Sequence, residues 1–321
     1  MSAKPLHCLH LLLCLFMLEG CTIKPVTAEN RSQSKPILMD SSFISFDGTE
    51  LPVHKWQPAD ETKIIFIALH GFNDYANFIK HGAGFFARHN IQVYAYDQRG
   101  FGNAPVRGRW GGTEQMAKDL ATLVRLAAQK HPGLPIYLLG HSMGGAVVIA
   151  TMAGPDPPPA AGVILVAPAV WARSTEPFYQ RLALWIGAHT MPWLELTGDS
   201  LDRMPSDNIE MLREQGRDPL VIKKTRLDTI YGLQNLMDAG YDRADRFNLT
   251  TLLLYGRKDE IIPKEPVHGM FDRIPESFAG QKQLILYENG YHMLMRDLQA
   301  EKVLQDIVDW VYGKCKLKIE N

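Results

Sequence analysis

Long apolar runs, repeats, basic tracts and clustered cysteines are all scarce in this chain, and each scarcity narrows what it can be. Only four cysteines occur in 321 residues (Cys8, Cys14, Cys21 and Cys315), and none falls in a metal-ligand spacing. A formal net charge of −1, without any basic run, gives no footing for nucleic acid or for strongly charged substrates. No repeat or low-complexity tract is present, which excludes a solenoid or a disordered array. The N-terminal apolar stretch from Cys8 to Leu18 is too short to span a bilayer. What remains is ordinary: 46% hydrophobic and 21% charged residues, a composition typical of globular proteins. A chain of this length buries a sizeable core and suits one α/β domain carrying an insertion.

The first residues read as a targeting segment. Lys4 precedes the apolar stretch, so residues 1–20 fit a signal peptide. Leu18-Glu19-Gly20-Cys21 resembles the bacterial lipoprotein signal, in which the cysteine receives lipid, although Glu19 stands where a small or uncharged residue is usual. The resemblance implies lipidation of Cys21, and Thr22 in place of Asp implies the outer membrane. An ordinary secretory signal giving a soluble periplasmic or secreted protein, or an uncleaved anchor, are the alternatives. Cleavage before Cys21 leaves that cysteine and Cys315, so no internal disulfide is expected. Residues 21–35 form a polar tether.

From residue 36 the pattern alternates between strands and helices. Ser42–Phe46 and Leu51–Trp56 read as a hairpin around Asp47-Gly48-Thr49-Glu50. Apolar strands are expected at Lys63–Leu69, Ile91–Tyr96, Pro135–Leu139, Gly162–Ala167, Leu249–Tyr255 and Gln283–Tyr287. Helices are expected at Tyr75–His89, Thr113–Lys130, after residue 142, near Val267–Arg273 and at Leu298–Tyr312. Such alternation argues for a mostly parallel sheet covered on both faces. Residues 171–246 show helical periodicity without a convincing strand, and read as a helical cap between core segments 36–170 and 247–321. Within it, Phe178–Leu196 is apolar, with Trp185, Trp193 and Leu194 as candidates for substrate binding. Such a segment is either a cap helix packed on its own domain or a greasy rim meeting lipid or an acyl chain.

One motif carries chemistry. Gly140-His141-Ser142-Met143-Gly144 lies between an apolar strand and a small-residue helix start, the context of a nucleophile elbow. A serine hydroxyl is a weak nucleophile and must be presented on a tight turn where a base can reach it. A serine hydrolase on this sheet then needs an acid and a histidine on loops after later strands, in that order. Asp259 follows the Leu249–Tyr255 strand, with Glu260 as a poorer substitute, and His292 follows the last strand. His54, His141, His189 and His268 fall on the wrong elements. Backbone N–H groups of Met143 and Phe72, the latter in His70-Gly71-Phe72 after the Lys63–Leu69 strand, are the candidate oxyanion donors. His70 is expected to hold its loop, and Asp97 and Arg99 to brace theirs as a pair.

Taken together, His70-Gly71, Asp97-Gln98-Arg99-Gly100-Phe101-Gly102, the elbow, Asp218-Pro219-Leu220, Gly256-x-x-Asp259 and Gly290-x-His292 resemble the α/β-hydrolase superfamily. More narrowly, they resemble its monoacylglycerol lipase and lysophospholipase-like branch over about residues 40–315. Asn73-Asp74 departs from that branch, whose loop commonly continues with Glu-His, and Ala104 stands where Ser is usual. The resemblance implies an α/β-hydrolase fold with an inserted helical cap. It also implies a Ser142–His292–Asp259 serine hydrolase that cleaves lipid-like carboxylic esters without metal or organic cofactor. Its partners would be an acyl ester and a membrane surface met through the anchor and the cap, with no nucleic acid. The sequence leaves the oligomeric state open. An aminopeptidase or amidase on the same fold, with Glu176 or Glu195 meeting the amine, and an inactive binding protein are the rival readings.

Overall fold

The computed structural model describes residues 35–198, 203–246, 249–275 and 282–313. The expected signal peptide, Cys21 and nearly all of the expected tether lie outside these residues.

All six apolar residues of β4 (Ile64–Leu69) are buried, as is every residue of β5 (Ile91–Tyr96), the polar Gln92 included. Strands buried on both faces read as continuous apolar runs rather than alternating ones. The remaining strands are β1 (Ile37–Leu38), β2 (Ser42–Ile44), β3 (Glu50–Trp56), β6 (Ile136–His141), β7 (Gly162–Val166), β8 (Glu195–Thr197), β9 (Lys224–Arg226), β10 (Thr251–Gly256) and β11 (Gln283–Tyr287). A nine-stranded sheet runs in the order β1-β2-β3-β5-β4-β6-β7-β10-β11. From β5 to β11 all neighbours are parallel, and β3 adds to β5 antiparallel.

The helices are α1 (Lys80–Ala87), α2 (Thr113–Lys130), α3 (Met143–Met152), α4 (Phe178–Thr190), α5 (Ile209–Arg217), α6 (Leu227–Asp242), α7 (Lys264–Arg273) and α8 (Ala300–Val311). Among the described residues none is long and apolar enough to cross a membrane. Every residue of α3 is buried, as expected of a helix apolar all round. Two apolar clusters sandwich the sheet, one built on α2 and α3 and the other on α1 and α8. The chain leaves β4 for β5 on one side and reaches β6 on the other. Such a reversal opens a crevice beyond the carboxyl ends of the strands, where ligands bind in open α/β sheets.

Several expectations are corrected. The hairpin is joined by a further strand, β1, paired through Ile37 to Ile44. The helix expected from Tyr75 starts as a 3-10 turn at Ala76–Ile79 and becomes α-helical at Lys80. The segment inserted between β7 and β10 is not purely helical: β8 and β9 pair antiparallel, with Leu196 opposite Thr225. Strands this short and polar carry too little alternation to read from sequence. Asp97 and Arg99 brace their loop separately rather than as a pair. Asp97 accepts from the Ala76 and Asn103 N–H groups at 2.9 and 2.8 Å, whereas Arg99 binds Asp119 at 2.5 Å and Asp47 at 2.8 Å.

Candidate active site

The carboxyl ends of β4, β6, β10 and β11 bring the sequence candidates to one rim of the sheet. Ser142 is the N-cap of α3 and holds φ 52°, ψ −118°, a strained conformation for a residue with a side chain. The turn is closed by neighbours that tolerate nothing larger. A Cβ on Gly140 would sit 2.6 Å from the Gly144 carbonyl oxygen, and one on Gly144 would strike the Leu69 carbonyl. Main-chain bonds lock the turn: the Ser142 N–H donates to Val166 O at 3.0 Å, and the Gly145 and Ala169 N–H groups donate to Ser142 O, each at 2.9 Å.

Asp259 and His292 meet at 2.8 Å through Oδ2 and Nδ1. A carboxylate only accepts, so Nδ1 carries the proton and Nε2 is left with its lone pair. The Asp259 side chain is fully buried, and its Oδ1 accepts from the Ile261 and Ile262 N–H groups at 2.8 and 3.0 Å. The carboxylate is therefore held by three donors and fixes the ring in one tautomer. The Ser142 hydroxyl makes no hydrogen bond among the described residues. In ligand-free hydrolases that contact is often long and tightens once substrate binds.

Ser142 and His292 are nonetheless neighbours through His141. The His141 and His292 rings lie 5.1 Å apart, and His141 Nε2 is 3.1 Å from the His292 carbonyl. Gly71 closes the same corner, since its Cβ would lie 3.3 Å from Ser142 Cβ. Phe72 follows it with its ring edge-on to Phe101 at 5.7 Å. The Phe72 and Met143 N–H groups donate to no protein acceptor among the described residues, and Met143 is the first residue of a helix, where such donors are unsatisfied.

His70 braces this loop: its Nδ1–H donates to Gly71 O at 2.8 Å while Nε2 accepts from the Gln98 N–H at 3.0 Å. Burial depresses its basicity, the Gly71 bond opposing this. Further supports carried little sequence signal. Asp74 accepts from Arg296 at 2.7 Å and from Gln215 at 3.1 Å. Asp297 accepts from the Tyr291 N–H at 2.8 Å and the Ser206 hydroxyl at 2.6 Å. Asn73, at φ 63°, donates its side-chain N–H to Thr225 Oγ1 at 2.7 Å while its main-chain carbonyl accepts from the Ile222 N–H at 2.9 Å. That positive φ suits asparagine, so the position departing from the resembled branch is one that ties the cap to the core.

The three cap candidates lie on α4 and on the turn between α4 and β8. Trp185, Trp193 and Leu194 are 47%, 64% and 41% exposed. No hydrogen bond or ring contact joins them to Ser142, Phe72 or His292 among the described residues. Phe178, Tyr179, Leu182 and Ile186 share that exposure, and only Gly187 and Ala188 of α4 are buried. The apolar side of α4 is thus not packed on its own domain. No cluster of three or more metal-ligating side chains occurs among the described residues.

Comparison with known proteins agrees with this architecture. The profile of Hydrolase_4, described as Serine aminopeptidase, S33, matches residues 60–299. A monoacylglycerol lipase of Mycolicibacterium smegmatis is 28% identical, covering 85% of this chain and 96% of that protein. The monoglyceride lipase of Homo sapiens is also 28% identical, over 87% of this chain and 92% of its own. Among solved structures, a monoacylglycerol lipase of Paleococcus ferrophilus superposes with a TM-score of 0.69 at 22% identity, covering 83% of this chain and 99% of that one.

Proposed function

This chain belongs to the Hydrolase_4 family, and we propose that within it the protein is a serine hydrolase cleaving carboxylic esters of lipid-like substrates, of monoacylglycerol or lysophospholipid type. Asp259 and His292, joined at 2.8 Å, with the His292 loop linked through His141 to the turn that holds Ser142 at φ 52°, carry this assignment. His292 Nε2 takes the Ser142 Oγ proton as that oxygen attacks the ester carbonyl. Collapse of the tetrahedral intermediate breaks the ester C–O bond, and the departing alcohol receives the proton from Nε2. A water that gives its proton to the same nitrogen then attacks acyl-Ser142 and releases the acid. Asp259 stabilises the transient imidazolium, and the Phe72 and Met143 N–H groups stabilise the oxyanion.

Similarity to proteins named monoacylglycerol and monoglyceride lipases supports an acylglycerol ester over an amide. The amidase reading gains nothing from the cap acids: Glu195 is exposed on β8, opposite Arg226, and Glu176 is half-buried near Arg173 and Gln234. A screen of monoacylglycerols, lysophospholipids, short esters and aminoacyl amides tests the reading. Monoacylglycerols as the better substrates support it, and aminoacyl amides as the only substrates overturn it.

The outward apolar side of α4, with Met191, Trp193, Leu194 and Leu196, is the surface by which the enzyme meets the lipid that holds its substrate. A lipid on Cys21 tethers it to the bacterial outer membrane. Loss of palmitate labelling in Cys21→Ser supports the tether, and unchanged labelling overturns it.

A further inference from the structure

We propose that His141 is a positioning residue for the general base, holding the His292 carbonyl through a neutral Nε2–H. The role rests on the assignment of Ser142 and His292 made above.

The partner fixes the tautomer. A carbonyl only accepts, so at 3.1 Å from His292 O the His141 Nε2 must carry a proton. The other nitrogen, Nδ1, is buried without a partner among the described residues. A bare lone pair there is the state a neutral Nε2–H imidazole leaves. Protonation of Nδ1 would instead bury an unsatisfied donor and a charge. Burial, reinforced by the neighbouring His292 and Arg296, pushes this ring well below the ordinary imidazole value. When His292 becomes an imidazolium, the ring beside it therefore does not oppose it.

Three loops converge on this side chain. Its backbone adjoins Ser142, its Nε2 grips the base loop, and its Nδ1 lies 3.1 Å from where a Gly71 Cβ would stand. Phe78 stacks on its other side at 6.1 Å and 18°. A phenyl ring would fill the same space. What imidazole adds is one donor, spent on the main chain of the residue that must reach Ser142. The nucleophile and base are thereby fastened by a single residue at the end of β6, independent of drift in the loop after β11.

Two substitutions separate grip from packing. His141→Gln replaces the Nε2–H donor and loses the ring, whereas His141→Phe keeps the ring and loses the donor. With p-nitrophenyl butyrate, His141→Phe is expected to lower kcat and the acylation burst rate about 10- to 100-fold, the scale of a misplaced catalytic group, with little change in KM. His141→Gln is expected to recover most of that loss. Full activity in His141→Phe, or a lower kcat in His141→Gln than in His141→Phe, overturns the role. Circular dichroism checks folding. Should either variant fail it, ring 15N shifts of the wild-type enzyme decide: a neutral Nε2–H His141 between pH 6 and 8 supports the role, and Nδ1–H or imidazolium overturns it. Ser142→Ala must abolish the burst. A burst that persists there overturns the nucleophile assignment, and the positioning role with it.

Discussion

Asp74 and Arg296 meet at 2.7 Å between the loop after β4 and the loop after β11, with side chains only 6% and 14% exposed. The pair joins the candidate oxyanion loop to the segment carrying His292, and Gln215 of α5 adds the cap to the same carboxylate at 3.1 Å. Removing one member strands a charge that water reaches poorly, at a cost of about 3 kcal/mol. Arg296→Met should therefore lower stability by about that amount in urea titration. Asp74→Asn/Arg296→Met should cost little more than the single change, because the charges leave together. Strictly additive losses would show that the two residues act independently.

Gly71→Ala would place a methyl 3.1 Å from His141 Nδ1 and 3.3 Å from Ser142 Cβ. The crowding falls on Ser142 and on the loop that carries Phe72, so kcat should fall about 10- to 100-fold if Ser142 is the nucleophile proposed above. Steady-state kinetics against an unchanged circular dichroism spectrum checks this. Unaltered kcat would mean that the corner has room to spare.

Acid should weaken the fold through His70 and His141. Both are buried with basicity depressed below the ordinary 6.5. Asp74, Asp97 and Arg296 face the first, and His292, Arg296 and His70 face the second. Below that pH the unfolded chain binds protons that the folded state resists, so stability is lost as pH falls and regained as it rises. Each histidine adds a slope of up to about 1.4 kcal/mol per pH unit. Urea midpoints at pH 7.5 and 5.5 should show the drop, less steeply in His141→Gln. A midpoint that rises on acidification contradicts this.

Phe178 and Trp193, 70% and 64% exposed, should matter only when the ester is in a lipid phase. Each large apolar side chain buried in lipid contributes about 1.5–3 kcal/mol. Phe178→Ser/Trp193→Ser should reduce vesicle binding at least about tenfold while leaving hydrolysis of a soluble short ester unchanged. Equal loss on both substrates would assign these side chains to the catalytic cleft instead.

Much of this was legible from residue order because the determinants are local. A fully apolar strand such as Ile64–Leu69 announces a buried position, and Gly140 and Gly144 announce a turn that no larger residue allows. Asp259 and His292 could be named because each directly follows a strand that ends at the rim. The supporting residues were not legible, since their partners are distant in sequence: Asp74 finds Arg296, Asn73 finds Thr225, and Asp297 finds Ser206. Nothing in the spacing of such residues tells which polar side chain will be buried against which. The β8–β9 ribbon leaves no signature in the sequence because three residues are too few to show a period.

Titrating the acid released from 1-oleoylglycerol by wild-type enzyme and by Ser142→Ala decides whether Ser142 is the nucleophile. Loss of the nucleophile from a working triad lowers kcat about 10⁵- to 10⁶-fold, so the variant should be indistinguishable from the uncatalysed background while keeping the wild-type melting temperature. A folded Ser142→Ala enzyme that releases oleate within tenfold of the wild-type rate would contradict that role.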